Sequence, residues 1–323
     1  MIQADRLEVV VLVDNWVDML LPDHVHGCVT RAGLIHHFDP KLVPPQAENG
    51  LSVLVKVDRG RYRYTAIFDL GLTGTVVNHN FRALGEDPTT IDHVVISHGH
   101  PDHYGGIHEF LRTQSRQLPI ATHPDAFLPR YAVMGDGRTA PFYNAAFGEE
   151  SLERSGGSVV ACKDPLDLGW GVHTTGEIPR VLDFERPPSQ LPHGAPGLFQ
   201  VGPNGEYRAD QVMDEHALVI DVAHKGLVVI TGCAHAGVCN TILRAQEICG
   251  EQRILAVLGG FHLGFPTTPE ANVDKTLELF RQYDVQTIMP MHCSGLRAHT
   301  AFSLGLAERY IQPAVGTRLF FGS

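Results

Sequence analysis

The chain has 323 residues, of which 43% are hydrophobic, and its formal net charge is −11. One two-layered domain with a large core, spanning residues 1–323, is ordinary for this length. The absence of a Lys/Arg cluster argues against a nucleic-acid partner, and no apolar run approaches the roughly 20 residues of a membrane span. Six cysteines without close spacing argue against a disulfide scaffold. Because no signal-peptide pattern is present, we expect a cytoplasmic protein.

The first part of the chain predicts strands joined by turns. Residues 9–13, 51–55 and 64–68 are short apolar runs with the composition of buried strands. A further strand is predicted at residues 94–96, and Ile107, Phe110 and Leu111 follow it at helical spacing. The polar segment between this strand and this helix is therefore a strand-to-helix loop.

The later part of the chain alternates predicted strands and helices. Residues 218–220 and 227–230 predict a hairpin that turns near Lys225 and Gly226, and a helix follows. Two more strands are predicted at residues 254–258 and 285–289. Hairpins followed by strand–helix alternation predict an α/β fold: an αββα sandwich of two mixed β-sheets flanked by helices. In such sheets, sites form where loops leave the strand ends.

A segment rich in Gly and Pro, at about residues 124–211, separates these two parts. A linker between domains and a disordered tether are alternative interpretations. We favour an ordered insertion, because its aromatic content is too high for a solvated tether; the aromatic residues are Phe127, Tyr131, Phe142, Tyr143, Phe147 and Trp170. Long ordered loops often serve as lids, so this segment is a candidate substrate-facing lid.

Histidines are concentrated directly after predicted strands. The loop after residues 94–96 carries His98, His100, Asp102 and His103. Imidazole nitrogens and carboxylate oxygens are ligands that Zn²⁺ and similar metals accept. On a loop that leaves a strand, His98 and His100 could chelate one metal while Asp102 and His103 face a neighbouring one. The alternative interpretation is a polar loop that is rich in histidine by chance.

Three other predicted strands also end near a histidine, and these residues strengthen the metal hypothesis. They are His235, His262 and His292. Since strand ends meet at the edge of a sheet, we expect them to lie near the His98 loop.

The loop sequence also carries a family resemblance. Residues 97–106, SHGHPDHYGG, resemble the signature of the metallo-β-lactamase superfamily. Other segments resemble one subgroup, the metal-dependent hydrolases related to the methanopterin-pathway ribofuranosyl-aminobenzene phosphate synthase; they are residues 12–15, 48–52, 68–71, 175–180, 231–237, 259–262 and 291–295. The resemblance therefore extends over nearly the whole chain.

The resemblance implies a metallo-β-lactamase fold with two metal ions. One ion would be held by His98, His100 and His235, and the second by Asp102, His103 and His292. Zn²⁺ is the expected metal, with Mn²⁺ or Fe²⁺ as alternatives.

The bridging position departs from the commoner hydrolase members, which carry an Asp there. In this chain the corresponding residue is Cys233, which either binds or bridges the metals as a thiolate or is a buried neighbour. Glu177 stands near the place of the third histidine in many members and is an alternative to His235. We favour His235, because imidazole is the expected ligand type at the end of a strand.

Other polar residues have weaker assignments. The family uses the residue at Asp69 as an acceptor that orients a ligand imidazole, and a turn at the strand end is the alternative role. Asp102 and His262 are the candidate catalytic residues, His262 because it is the strand-end histidine left after six ligands are assigned. Arg180 could hold a phosphate or carboxylate, although a lone Arg after a proline is usually a surface residue.

These residues predict an enzyme that activates water. A metal-dependent hydrolase would use a dinuclear centre against an ester, lactone, thioester, amide or phosphodiester of a small, anionic substrate. Alternatives are a synthase-like transferase in pterin-type cofactor metabolism, a di-iron redox protein, and a metal-stabilised binding protein without catalysis. The small-molecule substrate is the expected partner.

Overall fold

The computed structural model describes residues 2–22, 24–25, 27–31, 43–186, 197–202, 204–265 and 268–322. The strands of these residues are, in chain order, β1 (Arg6–Val13), β2 (His24–Val25), β3 (Val29–Thr30), β4 (Ser52–Arg59), β5 (Tyr62–Phe68), β6 (His93–Val95), β7 (Leu118–Thr122), β8 (Arg130–Val133), β9 (Thr139–Pro141), β10 (Gly157–Ala161), β11 (Asp167–Gly169), β12 (Val172–Thr174), β13 (Gly197–Val201), β14 (Tyr207–Ala209), β15 (Leu218–Val222), β16 (Gly226–Thr231), β17 (Ile254–Gly260), β18 (Thr287–Met291) and β19 (Arg318–Gly322).

The α-helices of the described residues lie between these strands. They are α1 (Gly74–Ala83), α2 (Pro101–Tyr104), α3 (Ile107–Leu111), α4 (Glu149–Arg154), α5 (Val238–Cys249), α6 (Glu270–Gln282) and α7 (Gly295–Gly305). Local capping defines their ends. The hydroxyl of Thr73 accepts from the amide of Val76 at the start of α1, and Gly250 ends α5 in a left-handed conformation. None of the described helices is long and apolar enough to cross a membrane.

Two sheets form the body of the fold. Within the described residues, the first sheet has the order β10-β7-β6-β5-β4-β1-β19-β3-β2, and the second has the order β11-β12-β15-β16-β17-β18. Both are mixed: β4 and β5 pair antiparallel while β5 and β6 pair parallel, and β15 and β16 pair antiparallel while β16, β17 and β18 run parallel.

Three apolar layers hold the sheets and helices together. Val9 and Val11 of β1 face the second sheet, where they share a cluster with Val228 of β16. The alternate residue Val10 faces the other way, in a cluster with α1 and α3, because successive side chains of a strand point to opposite faces. Helices α5, α6 and α7 cover the outer face of the second sheet. The predicted αββα sandwich is confirmed.

The predicted strands occur close to their expected positions. The hairpin at residues 218–220 and 227–230 is β15 and β16. The last predicted strand, residues 285–289, begins two residues later than expected, at Thr287. The amide of Val285 instead donates to the carbonyl of Phe280 in α6, so Val285 closes the helix before the strand starts.

The segment 124–211 contributes to all three sheets. Strands β8, β9, β13 and β14 form a small third sheet. Strand β10 extends the first sheet, whereas β11 and β12 extend the second. Only part of this segment therefore lies outside the sandwich, and its residues 187–196 and 203 lie outside the described residues. The lid role of this segment stays a prediction.

Candidate metal centre

The polar residues of the centre follow the carboxyl ends of parallel strands. Asp69 follows β5 and His98 lies on the loop after β6, while His235, His262 and His292 follow β16, β17 and β18. Several of these loops turn sharply at a residue with left-handed backbone: Asp69 (φ 60°), Ala234 (φ 57°), His262 (φ 51°) and His292 (φ 47°). The loops that leave these strands therefore come together at one edge of the sandwich, and their polar side chains face each other there.

A first group of ligand atoms comes from three imidazoles. The ligand atoms of His98, His100 and His235 all lie within 4.8 Å of one another. Nε2 of His98 is 3.0 Å from Nδ1 of His100, and Nε2 of His235 is buried without a hydrogen-bond partner. Because nothing in the described protein satisfies this nitrogen, it is available to a metal.

A second group lies beside the first. The ligand atoms of Asp102, His103 and His292 also lie within 4.8 Å of one another. Oδ2 of Asp102 is 3.2 Å from Nε2 of His292, and Oδ1 of Asp102 is buried without a hydrogen-bond partner. A carboxylate between two imidazoles is a donor set suited to a divalent ion.

Cys233 stands between the two groups. Its Sγ is 3.2 Å from Nε2 of His103, and it belongs to groups of possible ligands with His98 and with His292. Cys293 lies nearby and shares one of these groups. Burial first, and then the neighbouring Cys293, raise the pKa of the Cys233 thiol well above its ordinary value. A metal would have to supply the positive charge that a Cys233 thiolate needs.

Burial also controls the charge of the histidines. It lowers the pKa of His98 and of His235 well below the ordinary value, with neighbouring imidazoles adding to the effect. Both rings are therefore neutral near pH 7 and offer a lone pair, as metal binding requires. Burial also opposes protonation of His103, but the Asp69 and Asp102 carboxylates outweigh it and raise its pKa to about 9. Nδ1 of His103 can keep its proton beside Asp69, but a metal at Nε2 would have to displace the second proton of this ring. The donor types of the two groups fit a metal centre.

Asp69 orients the ligand imidazoles through hydrogen bonds on the side of the rings that faces away from the centre. Its carboxylate accepts from the amide and the hydroxyl of Ser97, both at 2.7 Å, and lies 2.6 Å from Nδ1 of His103. Since the Ser97 proton is given to Asp69, the Ser97 oxygen is free to accept from Nδ1 of His98, 2.9 Å away. In this arrangement, the Nε2 lone pairs of both rings are directed into the centre.

Comparison with known proteins is consistent with this architecture. Residues 48–247 match the family model of the metallo-β-lactamase superfamily. The chain belongs to this superfamily. A 7,8-dihydropterin-6-methyl-4-(β-D-ribofuranosyl)-aminobenzene-5'-phosphate synthase of Methanocaldococcus jannaschii is 30% identical over 261 residues, which are 80% of this chain and 85% of that protein. An uncharacterised protein of the same organism is 28% identical and covers 80% of this chain and 88% of its own length.

A solved structure agrees over almost the whole chain. The crystal structure of a metal-dependent hydrolase of the β-lactamase superfamily aligns with a TM-score of 0.69 at 26% sequence identity. The alignment covers 98% of this chain and all of that one. Membership of the superfamily supports metal-dependent hydrolysis in general terms.

Glu177 was the alternative to His235 as a metal ligand. Its side chain does not lie among the imidazoles of the centre. Its carboxylate is 3.0 Å from Nε2 of His123 and 3.3 Å from Lys163. The groups of possible ligands found among the described residues include His235 and not Glu177. Glu177 therefore belongs to a separate, partly exposed cluster with His123 and Lys163.

Sequence reasoning missed a buried ion cluster that supports the histidine loop. Asp214 accepts from the amide of Gly99 at 2.7 Å and from Arg130 at 2.6 Å. Arg130 also donates to Asp210 at 2.7 Å, and Asp210 lies 3.8 Å from Nε2 of His100. These three charged side chains are fully buried. No local pattern could identify them, because Arg130 pairs with residues 80 and 84 positions away.

Two other carboxylates were missed and hold the remaining ligand loops. Asp14 accepts from the amide of His292 at 2.8 Å, and burial raises its pKa to about 6. Next to it, the side-chain Nδ2 of Asn15 donates to the backbone carbonyl of His292 at 3.0 Å. Glu215 accepts from the amides of Cys233 at 3.2 Å and Ala236 at 2.8 Å. The only sequence signal was that Asp14 and Asn15 lie in a segment that resembles the family.

The predicted catalytic histidine, His262, lies beside the first group of ligands and forms another group of possible ligands with Cys233 and His235. The His262 ring is 4.1 Å from the His235 ring and 4.3 Å from the Phe265 ring, measured between centroids. Its Nδ1 is buried without a hydrogen-bond partner. From the segment 124–211, the Phe142 ring lies 5.2 Å from the His100 ring. Both rings therefore border imidazoles of the centre, and their contact with a substrate stays a prediction.

We predict that Cys233→Ser separates thiolate ligation from mere proximity. If Cys233 is a ligand, X-ray absorption of the zinc-loaded wild type should show sulfur at about 2.3 Å from the metal. The substitution should remove this scatterer and weaken one metal more than the other. Cys239→Ser, also buried but in helix α5, is the matched control and should keep the sulfur signal. Absence of sulfur in the wild type would make Cys233 only a neighbour.

Proposed function

We propose that this superfamily member is a hydrolase with a dinuclear metal centre, occupied chiefly by zinc. The substrate is a small anionic molecule with an ester, lactone, thioester or phosphodiester bond. The observation that supports this proposal best is the pair of three-ligand groups beside each other, with Cys233 between them. The two groups contain six nitrogen and oxygen donors, which is the number expected for two ions with three protein ligands each.

The proposed ligand sets are those expected from the sequence. His98, His100 and His235 would hold one ion, and Asp102, His103 and His292 the other, with Cys233 as the candidate bridge. The chemistry that two such ions supply when bound is activation of water near neutral pH and polarisation of the scissile group.

The chain's own residues prepare the centre and handle protons. Asp69 keeps a proton on Nδ1 of His103, so that Nε2 faces the centre. Asn15 and Asp14 fix the position of His292 through its carbonyl and amide. His262 has a buried, unpaired Nδ1, and we assign it the role of a proton donor to the leaving group.

The decisive experiment combines metal analysis with a substrate panel. Purified protein should contain close to two metal equivalents, and it should hydrolyse at least one class of ester, lactone, thioester or phosphodiester. Prolonged chelation should abolish turnover and lower the melting temperature, since loops from both sheets lose their common ligand. Turnover that survives complete metal removal would contradict the proposal.

We predict that His262→Ala lowers kcat by about 10²–10⁴-fold, as expected for loss of a general acid. Metal content should stay unchanged if the six assigned ligands are the complete set. Loss of a metal would instead make His262 a ligand together with Cys233 and His235, with which it shares a group of possible ligands. A matched control is His108→Ala, whose ring contacts Ser155 and the carbonyl of Ala146, away from the centre. Normal turnover in His262→Ala would remove this residue from the mechanism.

A synthase-like transfer is the second candidate, because the 30% identical relative is named as a synthase. In that case, a bond would form between the 6-methyl carbon of a dihydropterin and the amine of 4-(β-D-ribofuranosyl)aminobenzene 5'-phosphate. The bond from that carbon to its leaving group would break, the leaving group would depart as an anion, and the amine would lose a proton. Mass spectrometry of this reaction mixture separates the two proposals. A coupled product would favour the transferase, whereas hydrolysis of the activated dihydropterin alone would favour the hydrolase.

We also propose that the protein acts in the cytoplasm on small molecules, without nucleic acid or membrane as a partner. The net charge of −11 supports this, since a polyanionic surface would be repelled.

A further inference from the structure

A second cavity is lined by residues other than the strand-end histidines. Its volume is about 360 Å³, which is within the range of small-molecule sites. Its lining includes three cationic and two acidic side chains together with apolar ones; they are Lys163, Arg180, Arg244, Asp164, Glu177, Ile178 and Met213. Three cations against two carboxylates leave an excess of positive charge beside an apolar wall, which suits a small organic anion.

Arg180 is the unusual cation of this cavity. Lys163 is neutralised by Glu177 at 3.3 Å, and Arg244 by Glu247 at 2.8 Å. Within the described residues, Arg180 makes no ion pair: its Nη2 donates to the carbonyls of Gln211 and Val212, and its Nε is buried without a partner. A partly buried guanidinium with free donor capacity binds phosphate and carboxylate strongly.

The walls of the cavity are held rigidly before any ligand arrives. Nε of Arg244 donates to the carbonyl of Thr175 at 3.1 Å, and the amide of Glu177 donates to the carbonyl of Lys163. Gly176 has φ +60°, and a Cβ there would lie 2.5 Å from the carbonyl oxygen of Lys163. Preorganised walls reduce the entropy lost on binding.

The cavity is coupled to the centre through one segment, residues 210–215. Arg180 holds the carbonyls of residues 211 and 212 of this segment, and Met213 of the same segment lines the cavity. The neighbouring Asp214 and Glu215 hold the loops of Gly99 and Cys233. A ligand on Arg180 would therefore contact the same segment that positions the metal ligands.

We propose that the Arg180 cavity binds the phosphate or carboxylate group of a small anionic ligand. The group is part of the substrate or belongs to a separate anion that tunes turnover. The proposal that the anionic group is part of the substrate rests on the proposed hydrolase function. Binding of a separate anion does not, since it needs no reaction.

Inorganic phosphate is the probe, titrated calorimetrically into metal-loaded protein. Arg180→Met should weaken its binding by about tenfold or more, the loss of a charge-assisted contact, at unchanged metal content. Met213→Glu places a carboxylate in the cavity and should weaken binding similarly. Met213 is 43% exposed, so this variant should fold, and Met213→Gln is its neutral control. Wild-type phosphate affinity in both Arg180→Met and Met213→Glu would overturn the proposal.

Kinetics distinguishes the two sources of the anion. If the group is part of the substrate, Arg180→Met raises KM for an anionic substrate and leaves a neutral analogue unaffected. If the anion is separate, added phosphate changes the turnover of the neutral analogue in wild type but not in Arg180→Met. The proposed hydrolase function fails separately, if no substrate is turned over while phosphate binding still depends on Arg180.

Discussion

His98→Ala should reduce both the metal content and the turnover of the protein more than any other single substitution. His98 is fully buried and belongs to two groups of possible ligands, one with His100 and His235 and one with His103 and Cys233. Its loss should therefore disturb both metals. A bound metal lowers the activation barrier by several kcal/mol, so its loss should reduce kcat/KM at least about a thousandfold.

The measurement is metal content by mass spectrometry together with kcat/KM on the substrate found in the panel. His79→Ala is the matched control, since its ring contacts only the carbonyl of Pro44 among the contacts that the structure gives it. The control should keep both metals and full turnover. Full metal content together with full turnover in His98→Ala would refute the assignment of this residue.

Arg130→Met should cause the largest loss of stability, about 3–5 kcal/mol in the free energy of unfolding. The substitution leaves the Asp210 and Asp214 carboxylates buried without their cation, and breaking a buried ion pair from one side has this cost. It also leaves the carbonyl oxygen of Gly99 without its donor. The histidine loop should loosen, so metal affinity should fall as well.

Urea unfolding of the metal-loaded proteins measures this effect. Arg116→Met is the control, because the ion pair of Arg116 with Asp92 is about half exposed and pairs of this kind contribute at most about 1 kcal/mol. Equal unfolding midpoints for the two variants would show that the buried cluster contributes little to stability.

The fold could be predicted from the sequence because its main signals are local. Apolar runs and turn residues identify β4, β5, β15, β16 and β17, since both faces of these strands are buried in the sandwich. The predicted ends of the strands were less accurate. The polar turn before β18 could be recognised only from the hydrogen bond between Val285 and Phe280, which depends on the helix being in place.

The candidate site could be predicted only in part, for a related reason. The histidine loop is contiguous, so His98, His100, Asp102 and His103 are visible together in the sequence. The residues that orient them are not, because Arg130, Asp210 and Asp214 become neighbours only through the third sheet and the segment that follows it. Charged residues in a segment of Gly and Pro look like a solvated loop until the fold buries them.

The left-handed backbone at the strand ends limits how the protein can be made more heat-tolerant. Asp69, Ala234, His262 and His292 adopt conformations that cost L-residues about 1–3 kcal/mol each, so the centre lowers the stability of its own scaffold. Glycine at Ala234 would relieve this strain and raise the melting temperature. It would also allow the loop between Cys233 and His235 more conformations. Selection for thermal tolerance and selection for metal geometry therefore act in opposite directions at this position.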